Sequence, residues 1–307
     1  MSHDGAGSVS SSLDLRNCLV HDATVPSCLR TLCVCLALSM GCAAPTAKRV
    51  FSHRARVPAV VAHRGASGYA PENTLAAYRE AIERGAIAAE CDVFLSKDKE
   101  IVLMHDETLD RTTNGSGRID AHDWASLQAL DAGSWFSPEF AGEPVPQLGA
   151  LLDLVRDQMV LFIEIKQGEG IVDAIAATLA ERPRRQSRQV AIISFDPEMI
   201  AEAEQKLPRI PQMLLLWSKK GQAVPSQPAV DQALALGAEA IGVPSWGATK
   251  ELVDAGRAAR VELFVYTVNA AADVEHVIAL GVDGIISDYP DRTAALVEHQ
   301  HGKSRLE

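Results

Sequence analysis

Once its first 57 residues are set aside, the sequence is poor in cysteine, in positive charge and in long apolar runs. Only one of the six cysteines, Cys91, lies beyond residue 57, so a disulfide framework for the main part of the chain is excluded. Residues 58–307 carry 23 Lys and Arg against 37 Asp and Glu, a net charge of −14, which argues against a nucleic-acid-binding protein. The sequence also has neither a GxGxxG nor a Walker phosphate-binding loop. Any phosphate that this region binds must therefore be held by a few positioned cations and a metal ion.

The first 57 residues form a tail with the order of a signal peptide. Arg30 precedes the apolar run LCVCLALSM, which is too short to span a bilayer stably, and Gly41 and Cys42 follow. Gly41-Cys42 resembles the lipobox of bacterial lipoproteins, in which the cysteine is lipidated, although a serine stands where the lipobox prefers leucine. We therefore expect a signal or lipoprotein segment at about residues 30–42, a membrane tether through Cys42, and an exported protein that is periplasmic or membrane-anchored. The alternative is a cytoplasmic protein with a disordered extension.

From Val57 onward, β-branched apolar runs alternate with amphipathic stretches, a pattern typical of βα units around a parallel sheet. Two of the amphipathic stretches end in a glycine, Gly85 or Gly281, as helices often do. Eight strands with helices between them, in about 250 residues, favour an α/β fold of the TIM (β/α)8 barrel type over an open doubly wound sheet. The predicted barrel domain spans residues 58–300. Its strands are expected near 58–63, 87–95, 159–166, 190–195, 212–217, 240–243, 263–268 and 284–287.

The run at 101–106 is a ninth strand candidate, and only five residues, SKDKE, separate it from the strand at 87–95. This connection is too short for a parallel crossover and fits a hairpin turn. With the turn near Asp98 and Lys99, residues whose numbers sum to about 197 pair, which puts His105 opposite Asp92. A slip of one residue would turn His105 to the other face.

Carboxylates occur near the ends of two predicted strands. Glu90 and Asp92 share one strand face because they are two residues apart, and Glu164 and Lys166 share a face in the same way. Three carboxylates, completed by water and a phosphate oxygen, suit one hard cation, Mg²⁺ or Ca²⁺, better than Zn²⁺. A structural network of salt bridges is the alternative for the same residues.

Several short motifs occur in one order along the chain. They are HRG at 63–65, PENT at 71–74, ECDV at 90–93, HD at 105–106, IEIK at 163–166, VYTVN at 265–269 and DGIISDYP at 283–290. Together they resemble the glycerophosphodiester phosphodiesterase family, and the resemblance runs from about Val57 to Pro290. It implies a TIM barrel with a small inserted segment near its C-terminal face, which Glu107 to Gln147 would supply. It also implies cation-dependent hydrolysis of glycerophosphodiesters, such as glycerophosphocholine or glycerophosphoethanolamine, to sn-glycerol 3-phosphate and an alcohol.

The resemblance assigns roles to individual residues. His63 and His105 match the family's two catalytic histidines, and an imidazole can accept or donate a proton near neutral pH. Arg64 matches the phosphate-binding arginine, since a guanidinium can donate two hydrogen bonds to a phosphate. Lys166 is expected to stabilise charge at phosphorus. Tyr266 is expected to line the substrate pocket, at a position where many members have tryptophan.

Three further residues near these motifs have supporting roles in the prediction. Asn73 is expected to cap a helix that starts at Thr74. Glu72 is either a further metal ligand or an orienting carboxylate, and Asp106 either braces His105 or caps the next loop.

Two other functions stay open beside this one. A lysophospholipase D or another phospholipase-type phosphodiesterase would act near lipid. A barrel that only binds phosphorylated ligands is the other, although the presence of both histidines and all three carboxylates speaks against it. The sequence leaves undecided which histidine is the acid, which cation is used, and the oligomeric state.

Overall fold

The structure is a computed structural model that describes residues 44–51, 57–166 and 169–303. These residues belong to one compact unit that begins at Ala44. The predicted signal or lipoprotein segment at about 30–42, with Cys42, lies outside the described residues. Within the described ranges, no helix is both long and apolar enough to cross a membrane.

Eight parallel strands close into a barrel, as predicted. Each barrel strand pairs with the next along the chain, and pairing of the first strand with the last closes the ring. The strands are β1 Ala59–Ala62, β2 Ala88–Leu95, β3 Ile101–Leu103, β4 Val160–Ile165, β5 Val190–Ser194, β6 Gln212–Leu215, β7 Ala240–Pro244, β8 Glu262–Tyr266 and β9 Gly284–Ser287. Only β3 is antiparallel among these strands, and it pairs with β2 outside the ring. With helices between the parallel strands, the fold is a TIM (β/α)8 barrel.

The helices that connect the barrel strands cover its outside, because each presents an apolar face to the strands. The described α-helices are Ala47–Val50, Leu75–Glu83, Trp124–Leu127, Leu148–Val155, Ile171–Ala180, Pro197–Lys206, Ser226–Leu236, Lys250–Ala259, Ala271–Leu280 and Pro290–Lys303. Cys91 is fully buried among the apolar side chains between strands and helices. It is a packing residue, as buried free cysteines often are.

The β2–β3 hairpin forms with a register one residue from the predicted one. Val93 pairs with Leu103 and Leu95 with Ile101, so paired numbers sum to 196 rather than about 197. Such a slip was expected to turn His105 away from the carboxylates, yet His105 lines the same cavity as they do. The reason is that β3 ends at Leu103, so the alternation of the strand no longer fixes the direction of His105.

The barrel interior is filled by side chains that alternate with outward-facing ones along each strand. On β4 these are Val160 and Phe162, which are buried in the apolar interior, and then Glu164. The rings of Phe162 and Phe264 lie 5.6 Å apart, and Phe51, from before the predicted domain boundary, packs 5.2 and 5.3 Å from them. Apolar packing therefore ends one layer below the C-terminal ends of the strands, where Glu164 begins a polar layer.

Residues 107–147 form a separate segment between β3 and the next helix, as predicted for the insertion. Its short helices are Ile119–Ala121, Trp124–Leu127 and Pro138–Phe140. The segment has its own buried apolar cluster, which includes Leu109. It begins next to His105, and Arg111 within it contacts Glu72, so the insertion is attached to the face of the barrel where the site lies.

The helix after β1 is capped by a different side chain from the one predicted. Thr74 is its N-cap, with Oγ1 accepting a hydrogen bond from the Ala77 N–H, and the helix begins at Leu75. Asn73 instead has a left-handed φ of 57°, and its Nδ2 donates to Asp92 Oδ2 at 2.8 Å. The prediction that Asn73 caps this helix was wrong because a buried carboxylate on the neighbouring strand engages its amide, and cap patterns do not record such a partner.

Candidate active site

The predicted site residues meet at the C-terminal ends of the barrel strands, around a cavity of about 220 Å³. Seven of the eight line it: His63, Arg64, Glu90, His105, Glu164, Lys166 and Tyr266. The eighth, Asp92, is 1% exposed and lies beside Glu90 and Glu164. This is the end of the barrel at which TIM-barrel enzymes place their active sites.

Three carboxylates form the centre of the site. Oxygen atoms of Glu90, Asp92 and Glu164 lie within 4.8 Å of one another, and all three side chains are buried. Glu90 and Asp92 point the same way from β2, and the parallel register with β4 sets Asp92 beside Glu164. In the described part of the chain this is the one group of His, Cys, Asp and Glu side chains that could hold a metal ion. The structure thus brings together the three carboxylates that strand alternation in the sequence put on inward faces.

Burial and mutual repulsion disfavour negative charge on this cluster. Burial, with Asp92 and Glu164 nearby, raises the pKa of Glu90 well above its ordinary value. Burial and the Asp92 charge raise the pKa of Glu164 to about 7. Burial would raise the pKa of Asp92 as well, but Lys166 and Arg64 bring it below its ordinary value. The chain's own cations therefore compensate the cluster only in part.

The donor set fits a divalent cation. Glu90 Oε1 is buried without a hydrogen-bond partner among the described residues, while Oε2 accepts from the Arg64 backbone N–H at 2.9 Å. Carboxylate oxygens are ligands that Mg²⁺ and Ca²⁺ prefer. With all three carboxylates ionised, the cluster and the cations Arg64 and Lys166 carry a net charge of −1. A bound dication would change this net charge to +1. That charge is the complement of a phosphodiester anion.

Arg64 and Lys166 join the carboxylates to the cavity wall. Lys166 Nζ donates to Glu164 Oε1 at 2.6 Å and lies 3.3 Å from Asp92 Oδ1. Arg64 Nε lies 3.2 Å from Asp92 Oδ2, and its Nη1 donates to Glu72 Oε1 at 2.8 Å. Burial opposes the charge on both cations, but the carboxylates outweigh it and raise the pKa of each. Glu72 is thus the orienting partner of Arg64, which is one of its two predicted roles.

His63 is held by a carboxylate that the sequence analysis did not single out. His63 Nδ1 donates to Asp288 Oδ1 at 2.6 Å; because carboxylate oxygens only accept, Nδ1 carries a hydrogen, and Nε2 is the nitrogen left to exchange a proton with a ligand. Asp288 also accepts from Ser67 Oγ at 2.9 Å and from Asn269 Nδ2 at 2.6 Å. Burial would raise the pKa of Asp288, but His63 and these donors hold it below its ordinary value. Asn269 and Asp288 lie inside two motifs of the family resemblance, which is the signal that could have found them.

His105 is braced in the same way. Its Nδ1 donates to Asp106 Oδ1 at 2.6 Å, so Asp106 has the first of its two predicted roles. Arg111 Nε donates to Asp106 Oδ2 at 2.6 Å, and this hydrogen bond is the main cause that lowers the pKa of Asp106 to about 2. Burial, assisted by the charges of Arg64 and Lys166, lowers the pKa of His105 in spite of neighbouring carboxylates. The lowered pKa favours the neutral form, which can accept a proton. The sequence analysis did not single out Arg111.

Tyr266 belongs to the less polar side of the cavity. Its hydroxyl donates to the backbone oxygen of Leu216 at 2.8 Å, and its ring packs edge-to-face against Phe195 at 5.8 Å. Burial and the Glu164 charge raise the pKa of Tyr266 above its ordinary value. With its hydroxyl already donated to the backbone, Tyr266 suits contact with the organic part of a ligand better than a hydrogen bond to its phosphate.

Comparison with known proteins identifies the family. The glycerophosphoryl diester phosphodiesterase family matches residues 63–292, a range that includes every site residue described above. The chain belongs to this family. As a member, it is a phosphoric diester hydrolase.

Similar proteins cover about three quarters of this chain. A glycerophosphodiester phosphodiesterase of Caldanaerobacter subterraneus subsp. tengcongensis is 36% identical over 241 residues, 78% of this chain and 97% of the relative. One from Bacillus subtilis is 35% identical over 248 residues, 75% of this chain and 83% of the relative. Among solved structures, an Oleispira antarctica phosphodiesterase in complex with the product sn-glycerol-3-phosphate matches with a TM-score of 0.72 and 30% identity, covering 79% of this chain and 97% of that one.

Proposed function

We propose that this family member hydrolyses glycerophosphodiesters to sn-glycerol 3-phosphate and an alcohol, with one divalent cation and two histidines. The observation that carries the proposal is the meeting, at one cavity, of a buried three-carboxylate cluster and two imidazoles that carboxylates brace through Nδ1. The similar Oleispira antarctica phosphodiesterase was solved with sn-glycerol-3-phosphate, which supports the same product here.

Glu90, Asp92 and Glu164 would hold one Mg²⁺ or Ca²⁺. The buried Glu90 Oε1, which has no hydrogen-bond partner among the described residues, supports this assignment. When bound, the cation would polarise a phosphoryl oxygen and offset the charge that develops on it. Arg64 and Lys166 would bind the phosphate oxygens on the same side of the cavity. Tyr266 would contact the glycerol or the alcohol.

His105 is the general base in this proposal, and His63 is the general acid. Because the pKa of His105 lies below its ordinary value, its Nε2 can accept a proton from water or from the substrate's glycerol 2-hydroxyl. His63 keeps its Nδ1 hydrogen on Asp288 and would act as the imidazolium, whose second hydrogen, on Nε2, would pass to the leaving alkoxide. Asp106 and Asp288 each keep the proton-transferring nitrogen directed away from themselves.

The division of the chain and its location are part of the proposal too. Residues 58–300 would be the catalytic domain, against which Ala47–Phe51 of the preceding stretch packs, and the signal segment at about 30–42 would export the protein and expose Cys42 for lipidation. Cells that express the full chain and its Cys42→Ser variant would be fed labelled palmitate and then fractionated. Label that depends on Cys42 is expected, whereas an unlabelled cytoplasmic protein would favour the cytoplasmic alternative.

The test of activity is the release of glycerol 3-phosphate from glycerophosphocholine and glycerophosphoethanolamine by the full chain, first with EDTA and then with Mg²⁺ or Ca²⁺ restored. We expect release to stop with the chelator and to return with one of the two cations. Glu90→Gln should require more cation for half-maximal activity. Glu100→Gln is the matched control, because Glu100 lies in the hairpin and accepts a hydrogen bond from Gln147.

Each other outcome changes the proposal in a defined way. Full activity in EDTA would remove the cation from the mechanism. A folded protein that releases nothing with either cation would be tested next on lysophospholipids, and cleavage of those alone would replace the proposal with the lysophospholipase D alternative. The two substrates also measure the preference for the alcohol.

A further inference from the structure

Arg111, in the inserted segment, bridges two carboxylates with all three of its guanidinium nitrogens. Its Nε and Nη2 donate to Asp106 at 2.6 and 3.2 Å. Its Nη1 and Nη2 donate to Glu72 at 2.9 and 2.7 Å. The planar fork of a guanidinium can serve two carboxylates in this way, whereas an ammonium group cannot hold both with the same geometry.

Each of the two carboxylates holds one of the proposed functional groups. Glu72 Oε1 also accepts from Arg64 Nη1 at 2.8 Å, and Asp106 Oδ1 also accepts from His105 Nδ1 at 2.6 Å. Arg111 is therefore one residue removed from both the proposed phosphate-binding arginine and the proposed general base. The side chain is 44% exposed, so it does little for the core and its contacts are concentrated on these two partners.

We propose that Arg111 is a positioning residue, which fixes Arg64 and His105 relative to each other through Glu72 and Asp106. The inference rests on the proposed function of those two residues. By sharing the Glu72 charge, Arg111 leaves the Arg64 guanidinium more available to a phosphate. By sharing the Asp106 charge, it keeps that carboxylate a weaker partner for the imidazole.

Removal of Arg111 should therefore change both binding and proton transfer. Glu72 and Asp106 would each lose one hydrogen-bond donor. Arg64 would then pair more closely with Glu72 and bind the substrate phosphate less well, so KM would rise. The added negative charge beside the imidazole would favour its protonated form and raise the pKa of His105. The activity of a general base is lost as it becomes protonated, so the acidic limb of the kcat/KM profile should move to higher pH.

Other charged groups also act on His105 and must stay in place for this comparison. Asp92 and Asp106 favour the imidazolium, while Arg64 and Lys166 disfavour it. None of them is altered in the test, and a saturating cation concentration keeps their surroundings constant. The shift of the limb then reports on Arg111 alone.

The experiment compares Arg111→Gln, Arg111→Lys and Arg118→Gln with the unaltered chain, on glycerophosphocholine from pH 5 to 9. Arg118 is the matched control, because it lies in the same segment and bridges two carboxylates, Glu107 and Asp120, at 2.8 to 3.0 Å. For Arg111→Gln we expect a rise in KM of about tenfold and an upward shift of the acidic limb of about half to one pH unit. Arg111→Lys should return the acidic limb most of the way to its native pH but lower KM only part of the way to its native value. The reason is that lysine restores the positive charge without the planar guanidinium. Arg118→Gln should change neither.

A second readout separates this inference from the proposed function. The His105 ring proton is titrated by NMR in the unaltered chain and in Arg111→Gln, with His105→Ala to assign the signal. An unaltered chain without activity would end the proposed function, and the NMR titration would still measure the effect of Arg111. An active chain in which Arg111→Gln and Arg118→Gln behave alike, or in which the Arg111 variants lose stability without any shift in the limb, would overturn the positioning role.

Discussion

Replacement of Asp288 by Asn should slow catalysis without unfolding the barrel. In the native site, Asp288 accepts from His63 Nδ1 at 2.6 Å and from Asn269 Nδ2 at 2.6 Å, through different oxygens. An asparagine has one amide oxygen, so it can accept from one of these donors only by turning its NH₂ group towards the other. Either orientation sets two donors against each other.

The size of the effect follows from the hydrogen bond that is lost. A hydrogen bond to a charged group contributes about 1.5–3 kcal/mol, and each 1.36 kcal/mol changes a rate about tenfold. If the bond from His63 to Asp288 serves mainly the transition state, kcat should fall by about 10- to 100-fold with little change in KM. Steady-state release of glycerol 3-phosphate from glycerophosphocholine at saturating cation gives both constants.

Asp291→Asn is the matched control for this substitution. Asp291 is three residues further along and similarly exposed, and it accepts from Tyr69 and Arg84 rather than from a histidine. Thermal unfolding of both variants shows whether stability changes. Asp288→Asn with kcat within twofold of the native value, or an equal loss in Asp291→Asn, would refute the reasoning.

Further substitutions and conditions test the remaining parts of the site. His63→Ala and His105→Ala should each lower kcat by about 10² to 10⁴-fold in the same assay, and near-native turnover in either would remove that residue from the mechanism. In EDTA, the melting temperature should fall as pH rises from 5 to 8, because burial and the neighbouring Asp92 raise the pKa of Glu164 to about 7. The stability that protonated Glu164 contributes is complete below the ordinary pKa of a glutamate and is lost as pH rises through the pKa of the folded state. An unchanged melting temperature across this range would contradict the argument. Added Mg²⁺ or Ca²⁺ should raise the melting temperature most at pH 8, which calorimetry can measure. Lys99→Gly should stabilise the protein by up to about 1 kcal/mol in urea unfolding, because Lys99 has a φ of 70° and a left-handed backbone disfavours a side chain; destabilisation would show that the Lys99 side chain matters more than its backbone.

The barrel and its carboxylates could be predicted because the pattern that encodes them is local. Apolar runs with period two locate strands, and the same period puts Glu90 and Asp92 on one face and Glu164 on another strand's inward face. Predicting that these carboxylates cluster required no knowledge of distant contacts beyond the order of the parallel strands. The same period puts Cys91, between Glu90 and Asp92, on the opposite face, where the structure has it.

Local patterns fail where a residue is held by a partner far away in the chain. His63 and Asp288 are 225 positions apart, and no spacing or periodicity links them. Asparagine is a residue type favoured at helix N-caps, but the Asn73 amide donates to Asp92 on the neighbouring strand instead. Arg111 sits in an exposed stretch with no strand or helix period, so its contacts follow only from the folded path of the insertion. Asp288, Asn73 and Arg111 support the site rather than form it, which is why pattern reasoning located the cluster and not its braces.

The polar top layer of the barrel explains why so many braces are needed. The interior below it is closed by Phe162 and Phe264, whereas Glu90, Asp92 and Glu164 replace apolar packing with groups that repel one another in a buried place. Such a layer is stabilised when protons or cations offset its charge, and the chain supplies too few cations of its own. The uncompensated charge that weakens the fold is therefore the same charge that attracts a divalent cation, so binding of the ion should stabilise the barrel and complete the site in one step.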